Sequence, residues 1–134
     1  MPDPTVVRSC AEMVRLMRPA RVVGRFVFQS LPAGDIAQRL PDIRGLFVED
    51  EGISAIVPAQ DGDADIMAQI TLQVPSALDG VGLTAAVSTA LADAGIACNI
   101  VAALHHDHLF VPEAQADAAL EILHELSRSG VQKG

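Results

Sequence analysis

The chain has 134 residues, half of them hydrophobic, with four Phe and neither Trp nor Tyr. That length suits one compact domain or two small ones sharing a core, and the scarcity of aromatics excludes base-stacking RNA recognition and carbohydrate platforms. The net charge of −8 disfavours non-specific binding to nucleic acid or to anionic membranes.

The charge is uneven. Residues 1–45 hold seven Arg against four acids, a balance of +3, whereas residues 46–134 hold two basic residues against thirteen acids, a balance of −11. In so acidic a chain the Arg cluster reads as a solvated face or a contact with an acidic partner surface rather than a phosphate track. Cys10 and Cys98 lack CxxC spacing, no signal-peptide pattern opens the chain, and no apolar run approaches the ~20 residues a membrane span requires. The expectation is a reduced, soluble, cytoplasmic protein. Cys98, inside an apolar run, reads as a small buried hydrophobe.

In chain order, the two prolines in residues 1–5 predict a frayed tail. Ala11 to Met17 predicts a short helix with Met13, Val14 and Met17 on one face, stopped by Pro19. Val22 to Phe28 reads as a strand, ended by Pro32-Ala33-Gly34. Asp35 is suited to cap a short helix through Leu40, closed by Pro41. Gly45 to Pro58 reads as a hairpin turning at Glu49-Asp50-Glu51-Gly52, and residues 59–65 read as a polar linker.

Ile66 to Val74 alternates as a strand. Asp79 is a candidate N-cap for a helix whose stripe is Leu83, Val87, Ala90, Leu91 and Ala94, with Gly95 after its last turn. Ile96 to Leu104 is apolar enough to predict a central strand buried on both sides. Asp107 to Val111 predicts its hairpin partner. Pro112 opens a last helix with Ala119, Ile122, Leu123 and Leu126 inward and Gly130 as its stop, with at most a short strand beyond. The second half thus reads β-α-β-β-α and the first β-(short α)-β-β, two related halves that suggest duplication. An antiparallel sheet with helices on one face is the architecture this order favours.

Four groups of residues can carry chemistry. The corner Asp79-Gly80-Val81-Gly82-Leu83 opens a helix, where free N–H groups and the positive dipole end suit an amino-acid carboxylate; equally, its glycines serve a tight turn. His105-His106-Asp107-His108 offers metal-ligand types. In a strand, however, His106 and His108 share a face while His105 and Asp107 take the other, and no fourth ligand is near. A polar lock with Asp107 accepting hydrogen bonds, or an interface contact, fits better. Glu49-Asp50-Glu51 suits a ligand's amino or guanidinium group, an Arg of the basic N-terminal region, or plain solvent. Asn99, in an apolar strand, is expected to face a polar partner or a ligand. No nucleophile elbow, phosphate loop or dinucleotide fingerprint occurs, so neither a catalytic residue nor a cofactor is assigned.

Asp79-Gly80-Val81-Gly82-Leu83, Leu91-Ala92-Asp93-Ala94-Gly95-Ile96 and Asn99-Ile100 together resemble the ACT domain. More narrowly, VGLTAAVS, Asn99 to Ala102 and His106 to Pro112 look like a group of small bacterial tandem-ACT proteins of uncharacterised function. Phe26-Val27-Phe28 and Glu49 to Ile53 are similar to that group's first half. The resemblance covers about residues 12–128 and extends to the ACT modules of arginine sensors and aspartate kinases. It implies an α+β fold of tandem ferredoxin-like (βαββαβ) modules, residues 1–63 and 64–134, that pair through sheets or helices and bind effector amino acids at module interfaces. Residues 58–65 leave little room for the helix this group carries there, so the first module is expected to be shortened.

The function this implies is a non-catalytic regulatory module, a homodimer. Its ligand, an amino acid or similar small molecule, would lie between Asp79, Gly80, Val81, Gly82, Leu83 and Asn99 and a neighbouring module's Glu49, Glu51 and Gly52. Any output would pass through a separate protein partner. The alternative is a structural or protein-interaction dimer with no ligand. No nucleic acid, membrane or metal is assigned.

Overall fold

In the computed structural model, which describes residues 9–75 and 77–130, the Ser9 hydroxyl accepts the Glu12 N–H and starts helix α1 (Cys10–Arg15). The chain continues through β1 (Pro19–Arg21), β2 (Phe26–Leu31), α2 (Ile36–Arg39), β3 (Gly45–Glu49), β4 (Gly52–Pro58) and β5 (Met67–Leu72). Then come α3 (Leu83–Asp93), β6 (Asn99–Ala102), β7 (Asp107–Pro112) and α4 (Ala116–Ser129). Short 3-10 turns lie at Ala33–Asp35, Leu40–Asp42 and Glu113–Gln115. The tail expected at residues 1–5 and any strand after Gly130 lie outside the described residues.

These elements form two compact units, one from the residues up to Val23 and again from Ala68 onward, the other Gly24–Met67. In the first, the strand order is β1-β5-β7-β6. β1 and β5 are antiparallel, with Ala20 opposite Thr71, and so are β6 and β7, with Val101 opposite His108. The period of two along β5 puts Ala68, Ile70 and Leu72 on one face, where they share a core with Leu83, Val87 and Leu91 of α3. Those three, spaced by four, are the stripe read from the sequence; Ala90 is half-buried and Ala94 exposed. α1 adds Met13 and Val14, and α4 adds Ala119 and Leu123, so the helices cover one face of the sheet. α1 is also held by Gln73 N–H to the Met17 carbonyl (2.6 Å) and the Ser127 hydroxyl to the Arg15 carbonyl (3.0 Å). Cys98 sits half-buried against this core, and burial pushes its thiol up to about 11, which keeps it protonated and inert.

The second unit is a three-stranded antiparallel sheet. β2 pairs with β4 from Phe26↔Pro58 to Leu31↔Ile53, and β3 with β4 from Gly45↔Ile56 to Glu49↔Gly52. The predicted hairpin therefore turns on Asp50-Glu51, and the Ser54 hydroxyl donates to the Glu49 carboxylate beside it. Val27, Leu31, Ala55 and Val57 form its small core. No helix separates β4 from β5.

Three expectations are corrected. The strand predicted at Val22–Phe28 begins only at Phe26, after a separate strand at Pro19–Arg21, because Gly24 takes φ +122°, a region open to glycine, and interrupts the extended chain. The helix ends at Arg39 with Leu40 as its C-cap, just before Pro41, but the chain goes on into a 3-10 turn at Leu40–Asp42, and Asp35 does not cap the helix through its side chain. Ile96–Leu104 is not a central strand. Only Asn99–Ala102 is extended, among the described residues it pairs with β7 alone, and Val101 and Leu104 are exposed. Its apolar residues cover an edge instead of a sandwiched interior.

Leu91 is fully buried where α3 meets the sheet. Leu91→Ala is expected to destabilise the protein by about 2–5 kcal/mol, read as a lowered urea midpoint at unchanged slope.

Candidate functional site

The corner before α3 is built on backbone. The Gly80 N–H closes a turn onto the Ala77 carbonyl at 3.0 Å, and Gly82, at φ +111°, is the cap residue of α3. Asp79, expected as the N-cap, is exposed, and the cap position of the helix is Gly82 instead. An acid followed by glycine looks like a cap in sequence, but the left-handed residue at position 82 sets where the helix starts. The first α-helical bond runs from the Ala86 N–H to the Gly82 carbonyl at 2.9 Å. The amides before it have no partner in the helix and carry its positive dipole end.

Two contacts explain the glycines. A Cβ on Gly82 would stand 2.7 Å from Cys10 Sγ, and one on Gly80 would stand 3.1 Å from Met13 Sδ. Helix α1 thus lies directly beneath the corner. Above it opens a cavity of about 120 Å³, lined by Met13, Gly80, Gly82, Leu83, Thr84 and Asp107 among others.

Asp107 is the charged residue of this cavity and only 8% exposed. Its burial raises the carboxyl pKa above the usual 3.8, with His108 and His106 opposing the shift through their charge. The hydrogen-bonded lock expected of Asp107 is not observed: no donor among the described residues holds its carboxylate. Its place on the buried face was legible, since Asp107, Leu109 and Val111 alternate in β7 and all three are buried.

His106 and His108 share the other face, as expected, with ring centroids 6.5 Å apart. His108 Nδ1 lies 2.9 Å from the Thr71 hydroxyl and 3.3 Å from the Gln69 amide. Among the described residues no three His, Cys, Asp or Glu side chains are grouped to hold a metal ion.

Of the residues singled out in sequence, Gly80, Gly82 and Leu83 line the cavity. Val81 is exposed at the corner. Asn99 is exposed at the start of β6, opposite Phe110, so the buried amide expected there does not exist. Glu49, Glu51 and Gly52 are exposed residues of the β3–β4 hairpin in the other unit. A larger groove of about 640 Å³ runs between α3 and α4. Its acids are exposed, and Glu125 is already engaged by Arg128 (2.8 Å) and Ser129 (2.8 Å).

Comparison with known proteins agrees with this geometry. Family models described as ACT domains match residues 6–71 and residues 65–125. A solved protein of unknown function from Vibrio cholerae, described as a possible transport protein, is 35% identical, with a TM-score of 0.73, covering 84% of this chain and 91% of its own. The chain belongs to the ACT-domain family. The ligand-free regulatory subunit of Thermus thermophilus aspartate kinase shares the fold at 13% identity and a TM-score of 0.59, covering 83% of this chain and 97% of its own. An Agrobacterium tumefaciens protein does so at 19% and 0.56, covering 77% and 81%. No curated protein matches the chain. ACT domains are regulatory small-ligand-binding modules and not catalytic ones, and the paired models agree with tandem ferredoxin-like modules. Among the described residues no helix is long and apolar enough to cross a membrane.

Gly82→Ala is expected to cost about 1–3 kcal/mol from its left-handed backbone and to suffer further from the Cys10 contact. Adding Cys10→Ala should restore part of the loss, measured as a coupling in a double-mutant cycle of thermal stability. For Asp107, a raised native pKa means the folded state binds the proton more readily than the unfolded chain, so its contribution falls as pH rises through that interval. Asp107→Asn should therefore exceed wild type in stability at neutral pH, and the gap should close as pH falls toward 3.8.

Proposed function

We propose that the protein is a non-catalytic regulatory module that binds an amino acid at the Gly80–Leu83 corner, the ligand carboxylate resting on the first amides of α3. The observation that carries this is the cavity formed where those amides begin the helix; backbone N–H groups and a dipole end stabilise an anion without any basic side chain. Asp79 and Val81 shape the corner. Asn99 and a neighbouring module's Glu49, Glu51 and Gly52 are further proposed contacts. The modules themselves are proposed as residues 1–63 and 64–134, the first supplying α1 and β1 to the second. The protein works in the cytoplasm as a homodimer, and ligand acts by binding one assembly or partner-bound state more tightly than another.

The second reading, a structural dimer without ligand, is favoured by β3: Leu46, Phe47 and Val48 are exposed on an edge strand, the latter two at 71%. Thermal stability across the twenty amino acids separates the two. A bound amino acid at ~100 times its dissociation constant adds about 2.7 kcal/mol. A panel without any shift, together with dissociation of a dimer by Phe47→Asp, would establish the structural reading instead.

A further inference from the structure

Resting on that reading, we infer that Asp107 is the specificity residue of the corner cavity: it pairs with the ammonium of a small zwitterion whose carboxylate lies on the amides of α3, so the site takes amino acids of about the size of glycine or alanine and rejects carboxylates that lack a free amine. The first support is position. Asp107 is only 8% exposed and borders the cavity; a charge so placed is costly unless paired, and the charges of His108 and His106 offset that cost only in part. The cap position of α3 is Gly82, not Asp107. Its carboxylate is thus placed to meet a ligand.

The second support is charge pattern. Helix amides and a carboxylate border one small space, a positive dipole end and a negative side chain, as the two ends of a zwitterion require. Towards a simple carboxylate the same Asp107 is repulsive, since two anions would share a poorly solvated site, so rejection is built in alongside attraction. A volume of about 120 Å³ equals roughly four waters at ~30 Å³ each, room for a zwitterionic head and little side chain. The acidic turn at Glu49–Glu51 is then not needed for the amine.

The test is isothermal titration of the full chain with glycine and L-alanine, and with acetate and propionate, their amine-free counterparts. The expected result is binding of one or both amino acids, at least about tenfold weaker binding of the counterparts, and at least about tenfold loss of amino-acid affinity in Asp107→Asn. The counterparts should bind that variant at least as well as they bind wild type, because the repulsion is gone. Should acetate or propionate bind as tightly as the amino acids, the inference is overturned without recourse to a variant, while the corner remains a carboxylate site. Unchanged affinity in Asp107→Asn overturns it equally and leaves the proposed function standing. Silence from glycine and L-alanine, with a larger amino acid shifting stability in the panel, removes the inference alone; a wholly silent panel removes both.

Discussion

Helix α1 lies against the start of α3 so closely that a Cβ at position 82 would force Cys10 to shift and one at position 80 would crowd Met13. Cys10 occupies the space a Cβ at Gly82 would need, and Met13 the space beside Gly80. The approach is enforced from below, because Met13, Val14 and Met17 are sunk in the core of the first unit. It is tied from the side by Ser127 and Gln73. With α1 fixed, the corner has one conformation available, the helix begins at Leu83, and the cavity is the space left above Met13. The glycine pair is therefore a packing requirement first, and its backbone amides become available to a ligand as a consequence.

Asp107 works against that economy. It replaces an apolar residue on a strand face otherwise filled by Leu109 and Val111, and its burial opposes the charged form. The neighbouring His106 and His108 recover only part of this through their charge. A buried charge beside a helix terminus is the kind of cost that functional sites carry and stable cores avoid. The larger groove between α3 and α4 contains nothing comparable.

Periodicity made most of the fold legible. The stripe Leu83, Val87, Leu91, the alternation of β5 and the hairpin of β3 and β4 all sit where the pattern puts them. The pattern misled where apolar character was taken as burial: Ile96–Leu104 is hydrophobic but ends on a sheet edge, a distinction set by which strand pairs beside it. It misled again at Gly24 and Gly82, whose positive φ angles break a strand and start a helix and leave no mark in composition. Within the site, the corner was legible from its glycines. Asp107 was visible as a polar residue in a buried alternation, but the absence of a donor to satisfy it is a property of the packed neighbours.

The first unit is discontinuous: α1 and β1 precede the second unit in sequence, while β5 and all that follows come after it. During synthesis the chain emerges from its N-terminus at a few residues per second. The segment bearing Met13, Val14 and Met17 must then wait, its apolar face unpartnered, until α4 has cleared the ribosome. Gly24–Met67, continuous in sequence, needs no such wait. Loop closure across so long a separation is slow, so this helix spends longer exposed than any other element, and a nascent chain stalled before α4 presents it as a target for chaperones.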